Sequence, residues 1–81
     1  MRESSFTISI LVANRFGVLT RVAGMFSKRG YNIDRLSAIP IEGSGRSEII
    51  VTSNGDAAVK EQIIKQLEKL HDVQEVEVIN E

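Results

Sequence analysis

Every second position from Phe6 to Val12 is strongly apolar: Phe6, Ile8, Ile10 and Val12, interleaved with Thr7, Ser9, Leu11 and Ala13. A period of two predicts a strand with one face on a core. Asn14 to Phe16 read as a turn, and from Gly17 the period changes. Leu19, Val22, Ala23 and Phe26 fall at i, i+3, i+4 and i+7, one face of a helix, and Val18 and Met25 widen that stripe. Arg21, Lys28 and Arg29 take the wet side, where the last two suit the negative end of the helix dipole. Gly30 is placed to end the helix, because glycine enters the left-handed conformation without a steric penalty.

The spacing then predicts a second strand over Asn32 to Ile41. Its apolar points Ile33, Leu36 and Ile39 are not two apart, which suggests a bulge or kink. Pro40 belongs near its end or on a sheet edge. Glu42-Gly43-Ser44-Gly45 is a loop of turn formers. A third strand is expected over Arg46 to Ser53, around Ile49, Ile50 and Val51. Ser53-Asn54-Gly55-Asp56 reads as the next turn, with Asp56 or Asn54 capping a second helix. Val59, Ile63, Leu67 and Leu70 give that helix its apolar stripe, and Glu61 and Lys65 form an i, i+4 pair on it. A last strand is expected from about Asp72 to Asn80, with Val76 and Val78 alternating against Glu75 and Glu77.

Strand, helix, strand, strand, helix, strand is the order of the ferredoxin-like βαββαβ fold, an α+β two-layer sandwich. Right-handed crossovers place both helices on one face of a four-stranded antiparallel sheet. Thr7, Ser9, Glu75 and Glu77 are then expected on the other face.

Eighty-one residues suit one domain over 1–81. A chain this short buries only about 60% of its unfolded surface, so a partner surface would add to its stability. The net charge of -1 argues against a general nucleic-acid or anionic-membrane binder. With no cysteine, disulfides and Cys-ligated metals are excluded. The lone His71 is a poor basis for a metal site and is expected in a solvated loop. Met1 to Ser5 lack the apolar core of a signal peptide, and no segment reaches the length of a membrane span. A cytoplasmic domain is the expectation.

Candidates for catalysis are few. Asp34 and Glu48 fall on neighbouring strands, but paired carboxylates on a small sheet are usually exposed. Gly43-Ser44-Gly45 lacks the following helix and lysine of a phosphate loop. RNA-binding modules of the same fold stack bases on aromatics of their central strands. The third strand here has none. An acylphosphatase-like enzyme needs an arginine in a phosphate-cradling loop after the first strand. Arg15 is in roughly that place, without the rest of the glycine-rich cradle.

The junction at Asn14 is the strongest candidate site. The first amides of a helix have no intrahelical acceptor and sit at the positive end of its dipole, which suits a small carboxylate. Gly17 lets a ligand approach the backbone, and Asn14 adds a side-chain amide. Amides near Gly17, Val18 and Leu19 are the expected donors. Asn32 lies near the other end of the helix, about 20 Å away in one chain. The two regions share a ligand only across a two-fold dimer, which would carry two copies of the site.

Gly17-Val18-Leu19, Phe26-Ser27-Lys28-Arg29-Gly30-Tyr31-Asn32-Ile33 and Gln66-Leu67-Glu68-Lys69-Leu70 together resemble the ACT domain of the acetolactate synthase (acetohydroxyacid synthase) small regulatory subunit family. The likeness covers nearly the whole chain. It implies a regulator, not an enzyme: a homodimer that binds valine or a related branched-chain amino acid and modulates a thiamine-diphosphate-dependent catalytic subunit. By motif position it implies Asn14, Gly17, Val18 and Leu19 on one side of the effector site, with Asn32 and Ile33 from the other chain. Thiamine diphosphate, magnesium and flavin would belong to the catalytic subunit, leaving no cofactor to this chain. Where the family commonly has Glu-Pro or Glu-Ser, this chain has Arg15-Phe16. The ring of Phe16 is expected to narrow the loop, and Arg15 brings a positive charge close to the ligand's ammonium. On that difference, an ACT-like dimerisation module that has lost its ligand is the alternative. Many family members carry a second C-terminal domain, so this chain corresponds to a short form, a free-standing ACT protein or a piece of a longer one.

Overall fold

In a computed structural model, residues 4–80 are described. The elements follow the predicted order: β1 (Ser4–Ala13), α1 (Val18–Lys28), β2 (Arg35–Ile41), β3 (Arg46–Gly55), α2 (Ala57–Glu68) and β4 (Val73–Asn80). All pairings are antiparallel, and the sheet order is β2-β3-β1-β4. Phe6, Ile8, Ile10 and Val12 of β1 join Ile49 and Val51 of β3 in the core. Val22, Met25 and Phe26 of α1, with Ile63 and Leu67 of α2, close it from above. This is the ferredoxin-like sandwich that the two periodicities predict.

The outer face is polar where expected. Thr7 and Thr52 share a hydroxyl–hydroxyl hydrogen bond of 3.0 Å, and Ser9 Oγ donates to Glu48 Oε2 at 2.7 Å. Glu77 lies opposite Ser9, and Glu75 opposite Leu11. His71 is exposed. Among the described residues, no helix is long and apolar enough to cross a membrane.

Both helix ends have local causes. At the end of α1, Gly30 adopts φ 76°. The Gly30 amide donates to Ser27 O (3.1 Å) and the Tyr31 amide to Phe26 O (2.8 Å). That pair of bonds is a Schellman motif. Its usual hydrophobic contact is present, with the Tyr31 ring edge-on to Phe26 at 6.2 Å between centroids. At the start of α2, Asp56 Oδ1 accepts from the Val59 amide at 2.9 Å, so Asp56, not Asn54, is the cap.

Four expectations change. β2 begins at Arg35 rather than Asn32, because side chains capture the preceding backbone. Ser53 Oγ donates to the Asn32 carbonyl, and Asp34 accepts from Asn32 Nδ2 (2.6 Å) and Asn54 Nδ2 (2.9 Å). The bulge expected in β2 is absent from the regular β2–β3 register, and the register shifts instead lie between β1 and β4. Leu36 and Ile39 sit on opposite faces of β2, and all seven of its residues are exposed. β3 runs on through the expected turn to Gly55, since Ser4 and Ser5 pair with Gly55 and Asn54. Finally, the Glu61–Lys65 ion pair does not form among the described residues.

Candidate functional site

A cleft of about 210 Å³ opens between the start of α1 and the inner face of β2. Its floor is Val12, Ser47 and Ile49, all buried. Its mouth carries Leu19, Ala38 and Pro40, all exposed. Ala13, Asn14, Arg15, Gly17, Val18 and Thr20 complete the wall.

The loop that shapes this wall is fixed by backbone hydrogen bonds. The amides of Ala13, Asn14 and Arg15 donate to Asp72 O (2.9 Å), Gly45 O (2.8 Å) and Ala13 O (2.9 Å). The Val18 amide then closes a four-residue turn on Arg15 O at 3.2 Å. Gly17 is the third residue of that turn, with φ 85° and ψ -2°. Those angles are those of a type II turn, which requires positive φ there and so favours glycine. Phe16 occupies the outer corner. Its relative exposure is 103%, and it does not line the cleft. The expected narrowing by its ring is therefore not seen, because the turn carries the side chain outward.

Among the described residues, no side chain caps the start of α1. Among the described residues, the amides of Gly17, Leu19 and Thr20 have no acceptor, whereas the Val18 amide is spent on the turn. The available donors are thus Gly17, Leu19 and Thr20 rather than the expected Gly17, Val18 and Leu19. Arg15 and Arg21 converge on Asp72, whose carboxyl is 9% exposed. Arg21 Nη2 lies 2.9 Å from Oδ2, and Arg15 Nε 3.7 Å from Oδ1. The Arg15 charge is therefore partly offset, and its guanidinium is aimed at Asp72.

Asn14, Gly17, Val18 and Leu19 line the cleft, but Asn32 and Ile33 do not. They follow the far end of α1, and the Asn32 side chain is held by Asp34. One chain does not bring the two groups together. Sequence reasoning missed Ser47, Ala38, Pro40 and Thr20. Counting by twos from Ile49 along the third strand would have turned Ser47 inward. Among the described residues, no carboxylate, imidazole or thiol lines the cleft, so they offer hydrogen-bond donors and apolar walls but no base or strong nucleophile.

Residues 8–75 match the family described as AHAS small subunit-like ACT domain. The chain belongs to this family. It is an ACT domain of the regulatory kind, resembling the acetolactate synthase small subunit. The acetolactate synthase small subunit of Buchnera aphidicola is 47% identical over 74 residues, covering 91% of this chain and 46% of that protein. The isozyme 3 small subunit of Escherichia coli is 47% identical over 66 residues, covering 82% and 40%. The crystal structure of the small subunit from Thermotoga maritima superposes with a TM-score of 0.86 at 38% identity, covering 99% of this chain and 48% of that one. The chain therefore spans about half the length of these relatives.

Proposed function

We propose that this ACT domain senses valine or a related branched-chain amino acid for an acetolactate synthase, binding it in the α1 cleft at a homodimer interface and modulating the thiamine-diphosphate-dependent catalytic subunit. One observation carries the reading: a small cleft bounded by three acceptorless amides at a helix start and by apolar walls. The amides suit a carboxylate, and the walls suit an aliphatic side chain. The volume, about 210 Å³, is below the ~300 Å³ at which drug-sized pockets begin, a scale that fits a small amino acid.

The two sheet edges support the dimer unequally. β4 carries Glu75 and Glu77, charges of the kind that deter strand addition. β2 exposes Leu36, Ile39 and Ile41 and borders the cleft. Antiparallel pairing of β2 with a second copy's β2 would set the start of one strand against the end of the other. That arrangement would bring the second copy's Asn32 and Ile33 toward Pro40 at the cleft mouth, completing the site. Regulation would be a population shift: the effector acts by binding one arrangement of dimer and catalytic subunit more tightly than another.

Titration calorimetry with valine, leucine and isoleucine, alongside sedimentation of the free protein, tests the reading. A dimer that binds at least one of the three is expected. Gly17→Asp would set a side-chain carboxylate against that of the ligand and is expected to abolish binding. Undiminished affinity in that variant, or a strictly monomeric protein, would refute the site.

A further inference from the structure

We infer that Ser47 is a ligand-contacting residue of the α1 cleft: its hydroxyl donates to the carboxylate of the bound amino acid and fixes the ligand with that group inward. The inference deepens the amino-acid-binding reading and rests on it.

β3 turns two serines toward the helix layer, at either end of Ile49 and Val51. They differ in what they bond. Ser53 is fully buried and donates to the Asn32 carbonyl. Ser47 is 7% exposed, lines the cleft floor, and has no hydrogen-bond partner among the described residues. Its cross-strand neighbours are Val12 and Pro40, whose side chains offer it none.

Water serves such a hydroxyl while the cleft is open. A ligand that fills the cleft displaces that water, and a buried hydroxyl without a partner is costly. The ligand must therefore present a hydrogen-bonding group to the floor. An aliphatic side chain has none. The ammonium can donate to a hydroxyl, but the free amides of α1 border the same small space at the positive end of the helix dipole and disfavour a cation there. The carboxylate accepts from Ser47 and from those amides together. The aliphatic end then lies at the mouth, against Leu19, Ala38 and Pro40.

Valine calorimetry and ligand-free thermal melts on wild type, Ser47→Ala, Ser47→Thr and Ser53→Ala test this. Ser47→Ala is expected to weaken valine binding at least about tenfold, the low end for a hydrogen bond to a charged partner. Its ligand-free melting temperature should stay at or above wild type, because no bond within the chain is lost. Ser53→Ala should melt lower. Ser47→Thr keeps the hydroxyl and should restore most of the affinity. Valine affinity within twofold of wild type in Ser47→Ala would overturn the inference and leave the amino-acid reading standing. A depressed ligand-free melt of Ser47→Ala would also overturn it, by showing a structural role. A wild-type protein that binds none of valine, leucine and isoleucine would remove both.

Discussion

Asp72 ties the loop after β1 and the first turns of α1 to a position 51 residues beyond Arg21, and replacing it with alanine tests whether that junction holds the loop of the cleft. Its carboxyl is 9% exposed and takes Arg21 Nη2 at 2.9 Å, with Arg15 Nε at 3.7 Å. A hydrogen bond to a charged group contributes about 1.5–3 kcal/mol when well buried. Exposed ion pairs contribute about 0.2–1 kcal/mol. The Arg21 side chain is 56% exposed, so its guanidinium returns to water when the carboxylate is removed. The Asp72–Arg21 coupling should therefore sit at the top of the exposed range, about 1 kcal/mol. The Asp72 carbonyl, which accepts from the Ala13 amide, is untouched by the substitution, so the strand junction survives.

The assay is a double-mutant cycle of Asp72→Ala and Arg21→Ala, read by thermal and urea unfolding. Asp72→Ala loses contact with both arginines and should melt roughly 5–10 °C lower, given about 4–8 °C per kcal/mol for a domain of this size. The coupling should shrink in 1 M salt, because the arginine end is open to screening. A coupling energy under about 0.3 kcal/mol would show that the two side chains meet without holding anything, as many surface ion pairs do.

Backbone geometry sets two further outcomes. Gly55 has φ 151°, and an added Cβ would lie 2.7 Å from Val59 Cγ1 and 2.9 Å from Val59 Cβ. Gly55→Ala should cost about 2–3 kcal/mol in urea unfolding, and a neutral result would refute that packing. Phe16 is at the second position of a type II turn, where proline is favoured, and its amide donates to nothing among the described residues. Phe16→Pro should therefore stabilise the protein by about 0.4–1 kcal/mol through the unfolded state, and a lower melting temperature would refute the turn assignment.

Sequence patterns revealed the features that depend on near neighbours. The period of two in β1 marked its inward row and the polar face opposite, because β1 is central and only one of its faces meets the helices. Asn14, Gly17 and Leu19 were legible as cleft residues because a strand, a glycine turn and a helix start are consecutive in the chain. β2 was read poorly because no alternation exists there to read: both of its faces are exposed. Asn54-Gly55 looks like a turn, yet pairing with Ser4 and Ser5 extends the strand through it. Arg21 looked like a solvated helix residue, and its partner is 51 positions away. Ala38 and Pro40 join the cleft only through strand pairing, which no local signal specifies, whereas the alternation of β3 turns Ser47 inward without showing what it faces.

The two helices differ at their starts in a way that links stability to ligand. α2 is capped by Asp56, an arrangement worth about 1 kcal/mol. α1 begins at a left-handed glycine with no side chain to cap it, and its first turn contains no acidic residue. On the proposed reading, the ligand carboxylate would do for α1 what Asp56 does for α2. It would accept from free amides, offset the positive end of the dipole, and do so only when bound. Binding would then tighten the first turn of the helix that carries Leu19, beside the β2 edge where a second copy is proposed to pair. An amino acid could in this way bias how two copies meet without any large movement of the fold, because the group it completes is already positioned and lacks only an acceptor.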